Sequence, residues 1–344
     1  MSAYASRLIR YADLRPCRNA FIDTRSPGSE QKENFTLIGP GVSENPDQHV
    51  HIPEPHGFNI GGARQPGKCL NSQHSHETAE VFIVHSGKWR FTLGPNADEG
   101  FVDIGKGDVI DLPIHMFRGF ENLGSRSSAD FLFAVLGGDD PGKVTWSPKV
   151  FEMAKHYGLV LLEGGKLVDT VKGEAIPAGA VKQKPPTAAQ IRKLASPTAE
   201  QMAQCVHRLR DLKGNPNSPL AAPGVEECPI IVPRVTQDGF APGPISGWWP
   251  HGFNLRALKL QSGAAIPAHV RHEEEVLMVH AGMIEVTLPK GSVMLGAGDT
   301  FTTPKGMARA FRATSSDGCI VHVVRGGEDI AAPEFVRAGK RKAA

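Results

Sequence analysis

The chain repeats itself, and the repeat limits the fold more than any other feature. Pro55-His56-Gly57-Phe58-Asn59 returns as Pro250-His251-Gly252-Phe253-Asn254, 195 residues further on. The same offset carries His74 to His269, Glu80 to Glu275, and Val84-His85-Ser86-Gly87 to Val279-His280-Ala281-Gly282. After a short contraction the offset becomes 191, so that Gly107-Asp108 answers Gly298-Asp299, Pro113 answers Pro304, and Arg118 and Phe120 answer Arg309 and Phe311. Gly137-Gly138-Asp139-Asp140 is matched later by Gly326-Gly327-Glu328-Asp329. One register held this long means two copies of one domain. The length of 344 residues agrees, because single cores usually stop growing at about 250–300 residues.

Within each copy the segments read as short strands. Val81–Val84 and Trp89–Leu93 flank a turn at Ser86-Gly87, and Val276–Val279 and Ile284–Leu288 flank one at Ala281-Gly282. Runs of β-branched and aromatic residues separated by glycine signal strands. Many such strands at even spacing predict an all-β fold, an antiparallel sandwich or small barrel in each copy. Short helices are expected at Pro148 to Tyr157, stopped by Gly158, and at Pro333 to about Ala338. The proline-rich stretch 159–225 between the copies predicts a linker wrapping the barrels. One helix is expected in it, with Ser196 as N-cap, Pro197 at its first position and Gly214 as its stop. The expected domains are 1–158, linker 159–225 and 226–344. The Pro-His-Gly-Phe-Asn segments, present in both copies, are expected to turn into the first strand with Phe58 and Phe253 as core plugs. Trp248-Trp249 is expected at an interface or lid.

Composition narrows the function. A net charge of +2 with 22% charged residues leaves no footprint for nucleic acid or a membrane surface. The tail carrying Arg337, Lys340, Arg341 and Lys342 is expected to be a solvated end. Five scattered cysteines without a C-x-x-C pair argue against a disulfide framework and a zinc–thiolate site, and for a reducing compartment. With no apolar leader or span in view, the cytoplasm is the expected location.

His74-Ser75-His76-Glu77-Thr78-Ala79-Glu80 carries the chemistry. Two histidines at i and i+2 on a strand share a face, with Cα atoms about 6.6 Å apart, a reach that suits one ion. Glu80 returns to them through a turn. Two neutral imidazoles and a carboxylate make a facial triad suited to Fe(II), and also to Mn, Ni or Zn. His49-x-His51 has the same spacing but is expected to be a surface pair.

His74, His76, Glu80 and Gly87, followed by Gly107, Pro113 and Asn122, resemble the two motifs of the cupin superfamily, G-x5-H-x-H-x3,4-E-x6-G and G-x5-P-x-G-x2-H-x3-N. Gly67 stands one residue further out than the first motif's leading glycine. In the second copy Gly263, His269, Glu275, Gly282, Gly298, Pro304 and Gly306 fall into the same frames, so the chain resembles a bicupin over about 55–150 and 250–335. The resemblance implies two tandem double-stranded β-helix barrels, one divalent ion with Fe(II) foremost, and a homodimer. It also implies an oxygen-activating enzyme acting on a small aromatic, diketone or carboxylic acid.

The departures carry equal weight. Arg118 and Arg309 stand where the family has its third histidine, and a guanidinium has no lone pair to give a metal. Arg118 is expected either to clamp an anionic substrate or to form an internal salt bridge with Glu121 or another acid. His115 is a candidate replacement ligand or acid–base group, or else a solvent-facing loop residue. In the second copy Arg271 replaces the second histidine and is expected to pair with Glu275. His272, one residue out of register, is expected to face away. His280 and His322 are expected in core or surface roles, and that copy is expected to hold no metal. Two other classes stay open beside the dioxygenase: a redox-neutral isomerase or lyase using the metal as Lewis acid, and a non-catalytic small-molecule-binding module.

Overall fold

The computed structural model describes residues 3–232, 236–240, 242–245 and 249–336. Trp248, the basic tail from Arg337 onward and the end of the helix expected near 338 lie outside them. Two compact units emerge: Leu14–Asp211 with Gly247–His251, and Leu212–Ser246 with Gly252–Ala344 plus Met1–Asp13. Residues 1–13, expected with the first barrel, thus belong to the second. No helix among the described residues is long and apolar enough to cross a membrane.

The first barrel is two facing sheets. Seven strands run in the order Val206–His207, Val109–Leu112, Glu80–Val84, Asp130–Gly137, Phe58–Gln65, Glu33–Ile38 and Val50–Ile52. Five run Thr145–Trp146, Leu70–Ser75, Arg118–Asn122, Lys88–Leu93 and Phe101–Gly105. The second barrel repeats the plan with Leu8–Ile9, Thr300–Thr303, Glu275–Ala281, Cys319–Gly326, Phe253–Leu260 and Val225–Ile231 on one sheet. Gly291–Leu295, Ile284–Leu288, Arg309–Ala313, Ala265–Val270 and Glu334–Phe335 form the other. Alternation along these strands sends every second side chain inward. Phe82, Phe91, Phe120 and Trp89 fill the first core, with ring centroids 5.1–6.0 Å apart. Leu277, Val286, Phe311 and Ile284 take the same places in the second.

The recurring turns have a structural reason. In the first barrel the Gly57 N–H donates to Asp139 Oδ1 (2.6 Å) and the Gly138 N–H to the Gly57 carbonyl (3.1 Å). The second repeats this with Gly252 on Glu328 Oε1 (3.3 Å) and Gly327 on the Gly252 carbonyl (3.0 Å). Phe58 and Phe253 are both fully buried behind these turns.

A further repeat, at an offset of 198, joins Arg10-Tyr11-Ala12-Asp13-Leu14 to Arg208-Leu209-Arg210-Asp211-Leu212. Each segment follows a two-residue strand that adds an edge to a barrel. Leu8–Ile9 pairs with Phe301 and Thr300, and Val206–His207 with Ile110 and Val109. Arg10 Nη1 meets Asp299 Oδ2 at 2.6 Å, and Arg208 Nη1 meets Asp108 Oδ2 at 2.7 Å. Gly107 (φ 83°) and Gly298 (φ 87°) lie beneath these arms. A Cβ there would come within 2.5 Å of Leu209 and 2.6 Å of Tyr11, so both space and conformation demand glycine.

The helix Pro148–His156 forms as expected, with Ser147 at its N-cap position and Gly158 (φ 73°) just past its end. The linker helix is shorter than predicted, Ala199–Gln204. Thr198 rather than Ser196 caps it, because Thr198 and Gln201 form a reciprocal capping box. A second short helix, Ala188–Ile191, is capped in the same way by Thr187. The expected helix at 333 is not formed: Glu334–Phe335 pairs as a strand with Val270 and His269. Trp249 is buried in the first core instead of exposed at an interface. Of the pair expected at the surface, His49 is exposed and His51 is half-buried. All five cysteines are free and buried.

Candidate metal centre

His74 lies on Leu70–Ser75, paired across to Arg118 on one side and Trp146 on the other. His76 follows just after the strand ends, and Glu80 opens the next strand, Glu80–Val84. Their ligand atoms all lie within 4.8 Å of one another, and no other such group of three occurs among the described residues. The three residues are 4%, 2% and 4% exposed.

The donor set is chemically poised. His74 Nδ1 is 2.7 Å from the Ser72 carbonyl, so it carries the proton and leaves the Nε2 lone pair free. Burial, and secondly the Arg118 charge, holds both imidazoles well below the usual histidine range, which keeps them neutral. Among the described residues His76 Nδ1 has no partner, and His76 Nε2 stands 3.5 Å from Glu80 Oε1. These groups fit a divalent ion.

Arg118 decides which oxygen of Glu80 remains available. It is fully buried, and its Nη2 and Nε both donate to Glu80 Oε2, at 2.6 and 3.1 Å, while Nη1 donates to the Met116 carbonyl at 3.0 Å. Only Oε1 is left for a metal. Burial raises the Glu80 carboxyl above the ordinary range, and Arg118 pulls the other way. The acid paired with Arg118 is therefore Glu80, not Glu121. Residues three apart on a strand face opposite sides, which sends Glu121 outward. His115 is exposed, with φ 64°; its backbone N–H reaches the His76 carbonyl at 2.8 Å, but its ring is not brought into the cluster.

Above the triad lies a cavity of about 70 Å³, walled by Phe21, Phe82, Phe120, Val144 and Trp146 among others. Behind it stands a buried support with no motif to mark it. The His74 ring packs 5.2 Å from Trp146, whose Nε1 donates to Glu44 Oε1 at 2.6 Å. Asn71 Nδ2 approaches His74 Nδ1 at 3.4 Å, and Asn71 Oδ1 accepts from Lys32 Nζ at 2.8 Å. Lys32 in turn is paired with Asp23. Residues 23–44 lie outside the stretch where the two copies keep sequence identities, so those identities did not point to them.

In the second barrel the frame survives with guanidinium in place of imidazole. Arg271 is fully buried, 3.7 Å by its Nε from Glu275 Oε2 and 3.1 Å by its Nη1 from Glu273 Oε1. Arg325 Nε reaches Glu275 Oε2 at 2.7 Å and Arg309 Nε reaches Oε1 at 3.1 Å. Burial alone would raise the Glu275 carboxyl, yet Arg309, Arg325 and Arg271 together hold it below the usual range. His272 faces out and meets Glu334 at 2.9 Å. His280 and His322 are buried, with ring centroids 5.7 Å apart.

Two barrels in tandem, one holding a His-His-Glu cluster inside its wall, have the two-domain cupin fold. The Cupin domain family matches residues 257–325, which lie in the second barrel. No curated protein matches the sequence. Among solved structures, Bacillus subtilis oxalate decarboxylase at pH 4.6 superposes with a TM-score of 0.55 at 11% identity, covering 98% of this chain and 79% of that one. The formate complex of Lactobacillus farciminis oxalate decarboxylase gives 0.56 at 14%, over 98% and 89%. The Bacillus subtilis enzyme studied for its Mn(II) centres gives 0.54 at 12%, over 98% and 80%. At these identities the likeness is one of fold.

Proposed function

We propose that the first barrel holds one divalent ion through His74 Nε2, His76 and Glu80 Oε1, and acts on a small carboxylate by redox-neutral, lyase- or isomerase-type chemistry. The observation that carries this is the set of three buried donor atoms within 4.8 Å, with both imidazoles kept neutral. When bound, the ion would serve as a Lewis acid on a carboxylate or carbonyl oxygen. Because Arg118 already balances the Glu80 charge, a divalent ion here keeps its two positive charges uncompensated, and the site favours an anionic ligand. The aromatic walls exclude water from that ligand.

Size supports the same class. A water needs about 10–15 Å³ of such volume, so roughly 70 Å³ takes about five to seven waters, room for a small acid. The named substrate of the similar oxalate decarboxylase structures, and the formate bound in one of them, are acids of that size. One observation favours a binding module without turnover: Arg118 places a permanent positive charge against the metal's own carboxylate.

Elemental analysis of protein purified without a metal-binding tag, beside His76→Ala, tests the reading. One equivalent of metal, lost in the variant, together with acid consumption and no O2 uptake, supports it. O2 uptake with bound iron would restore a dioxygenase. Acid binding without turnover would establish the module.

A further inference from the structure

In the cavity that the metal ligands line, two polar groups outside the ligand set have no partner among the described residues, Nδ2 of Asn34 and Oε1 of Gln48. Asn34 sits on Glu33–Ile38 in the seven-stranded sheet, whereas His74 lies on the five-stranded one. Its backbone is used on both sides: the N–H donates to the Cys17 carbonyl (3.0 Å) and the carbonyl accepts from Cys17 N–H (2.8 Å). The carboxamide nitrogen, in contrast, has no hydrogen-bond partner among the described residues. The residue is only 7% exposed, and it lines the same cavity as His74, His76 and Glu80.

Buried carboxamides are almost always hydrogen-bonded, and one that is not calls for a missing partner. Its neighbour two residues along the same face, Thr36, is already engaged by Gln48 Nε2. The other residues around the chamber do not compensate: Phe21, Phe82, Phe120 and Trp146 are apolar, and the Asn71 amide is turned to Lys32 and His74. The cavity therefore has two polar poles with an apolar wall between them. One is the His-His-Glu cluster and the other is Asn34, with Gln48 held beside its neighbour Thr36. A simple monoacid would use only the first.

We infer that Asn34 is a specificity-determining residue, and that the ligand is a short bifunctional acid whose second oxygen group, one or two carbons from the carboxylate, pairs with the Asn34 carboxamide. A carboxamide both donates and accepts, so it suits a second carboxylate or a carbonyl. This rests on the small-carboxylate reading of the metal site above.

The test uses the full-length, metal-loaded chain and two probes, acetate and malonate, titrated calorimetrically into wild type and Asn34→Leu, with metal content measured on the same samples. The expected result is that wild type binds malonate at least tenfold more tightly than acetate. In Asn34→Leu that ratio falls to near one while acetate affinity and metal content stay unchanged. A variant that merely loosened the barrel would weaken both acids together. Asn34→Ser, which keeps a polar group but shortens its reach, is measured alongside in case Asn34→Leu melts early, and should also lose the ratio. Equal affinity for both acids in metal-loaded wild type, or a ratio untouched by either substitution, overturns the role of Asn34 and leaves the metal site standing. A chain that takes up no metal and binds neither acid overturns both.

Discussion

Arg118 Nη2 lies 2.6 Å from Glu80 Oε2, so a permanent cation grips the one carboxylate in the candidate metal centre. The pair is fully removed from water, and breaking such a pair by deleting one partner leaves an uncompensated buried charge. Arg118→Met should therefore cost about 3–5 kcal/mol of stability in the metal-free chain. It should also bind divalent metal more tightly than wild type, and saturating Mn(II) should return part of the loss. Denaturant titration with and without Mn(II) checks this. An equal loss under both conditions would show that Glu80 does not face the ion.

The second barrel predicts a gain rather than a loss. Arg271→His restores imidazole to the frame shared by His269 and Glu275, leaving Arg309 where Arg118 stands in the first barrel. Metal content should rise from one to two equivalents per chain. Combining it with His76→Ala should leave one. A content unchanged by Arg271→His would mean that Arg309 and Arg325, both already on Glu275, close the frame by themselves.

Glu44 predicts a pH dependence. Burial, opposed by the bonds from Trp146 Nε1 and Ile22 N–H, raises its carboxyl from 4.5 to about 8. Below pH 4.5 both folded and unfolded chains hold the proton. Between 4.5 and about 8 only the folded chain does, so stability falls as pH rises, by up to about 1.4 kcal/mol per unit. Above about 8 the contribution is gone. Glu44→Gln, which cannot ionise, should flatten this slope, and urea midpoints measured from pH 5 to 9 on both proteins read it. Identical slopes would place the ionisation elsewhere.

Removing residues 1–13 should weaken the second barrel. Tyr4 and Ile9 are 6% and 4% exposed, and Tyr4 belongs to that barrel's core. Losing two such side chains costs about 3–6 kcal/mol. Thermal unfolding should show one transition moving down, while the metal content of the first barrel is retained.

Much of this was legible beforehand. The offsets of 195 and 191 placed the strands of both barrels, and the i, i+2 histidines with Glu80 form the cluster the motif implied. Glu121 was the acid named beforehand for Arg118, although strand alternation argues against it, since it lies three residues along the same strand. What could not be read were contacts between segments far apart in the chain, such as Lys32 with Asn71 and Trp146 with Glu44 behind His74. The arms at Arg10 and Arg208 were readable in principle. Their shared Arg-x-x-Asp-Leu is short, and it lies outside the stretch where the repeat is dense.

The guanidinium-filled frame around Glu275 gives the chain a built-in control. Both barrels descend from one pattern, share strand order and turn chemistry, and differ at the centre in His76 against Arg271 and in Leu136 against Arg325. Any spectral change, proton release or heat that metal produces can be compared with a sibling barrel in the same molecule, at the same concentration and in the same solvent. Few proteins allow a background to be subtracted from within the molecule that makes the signal.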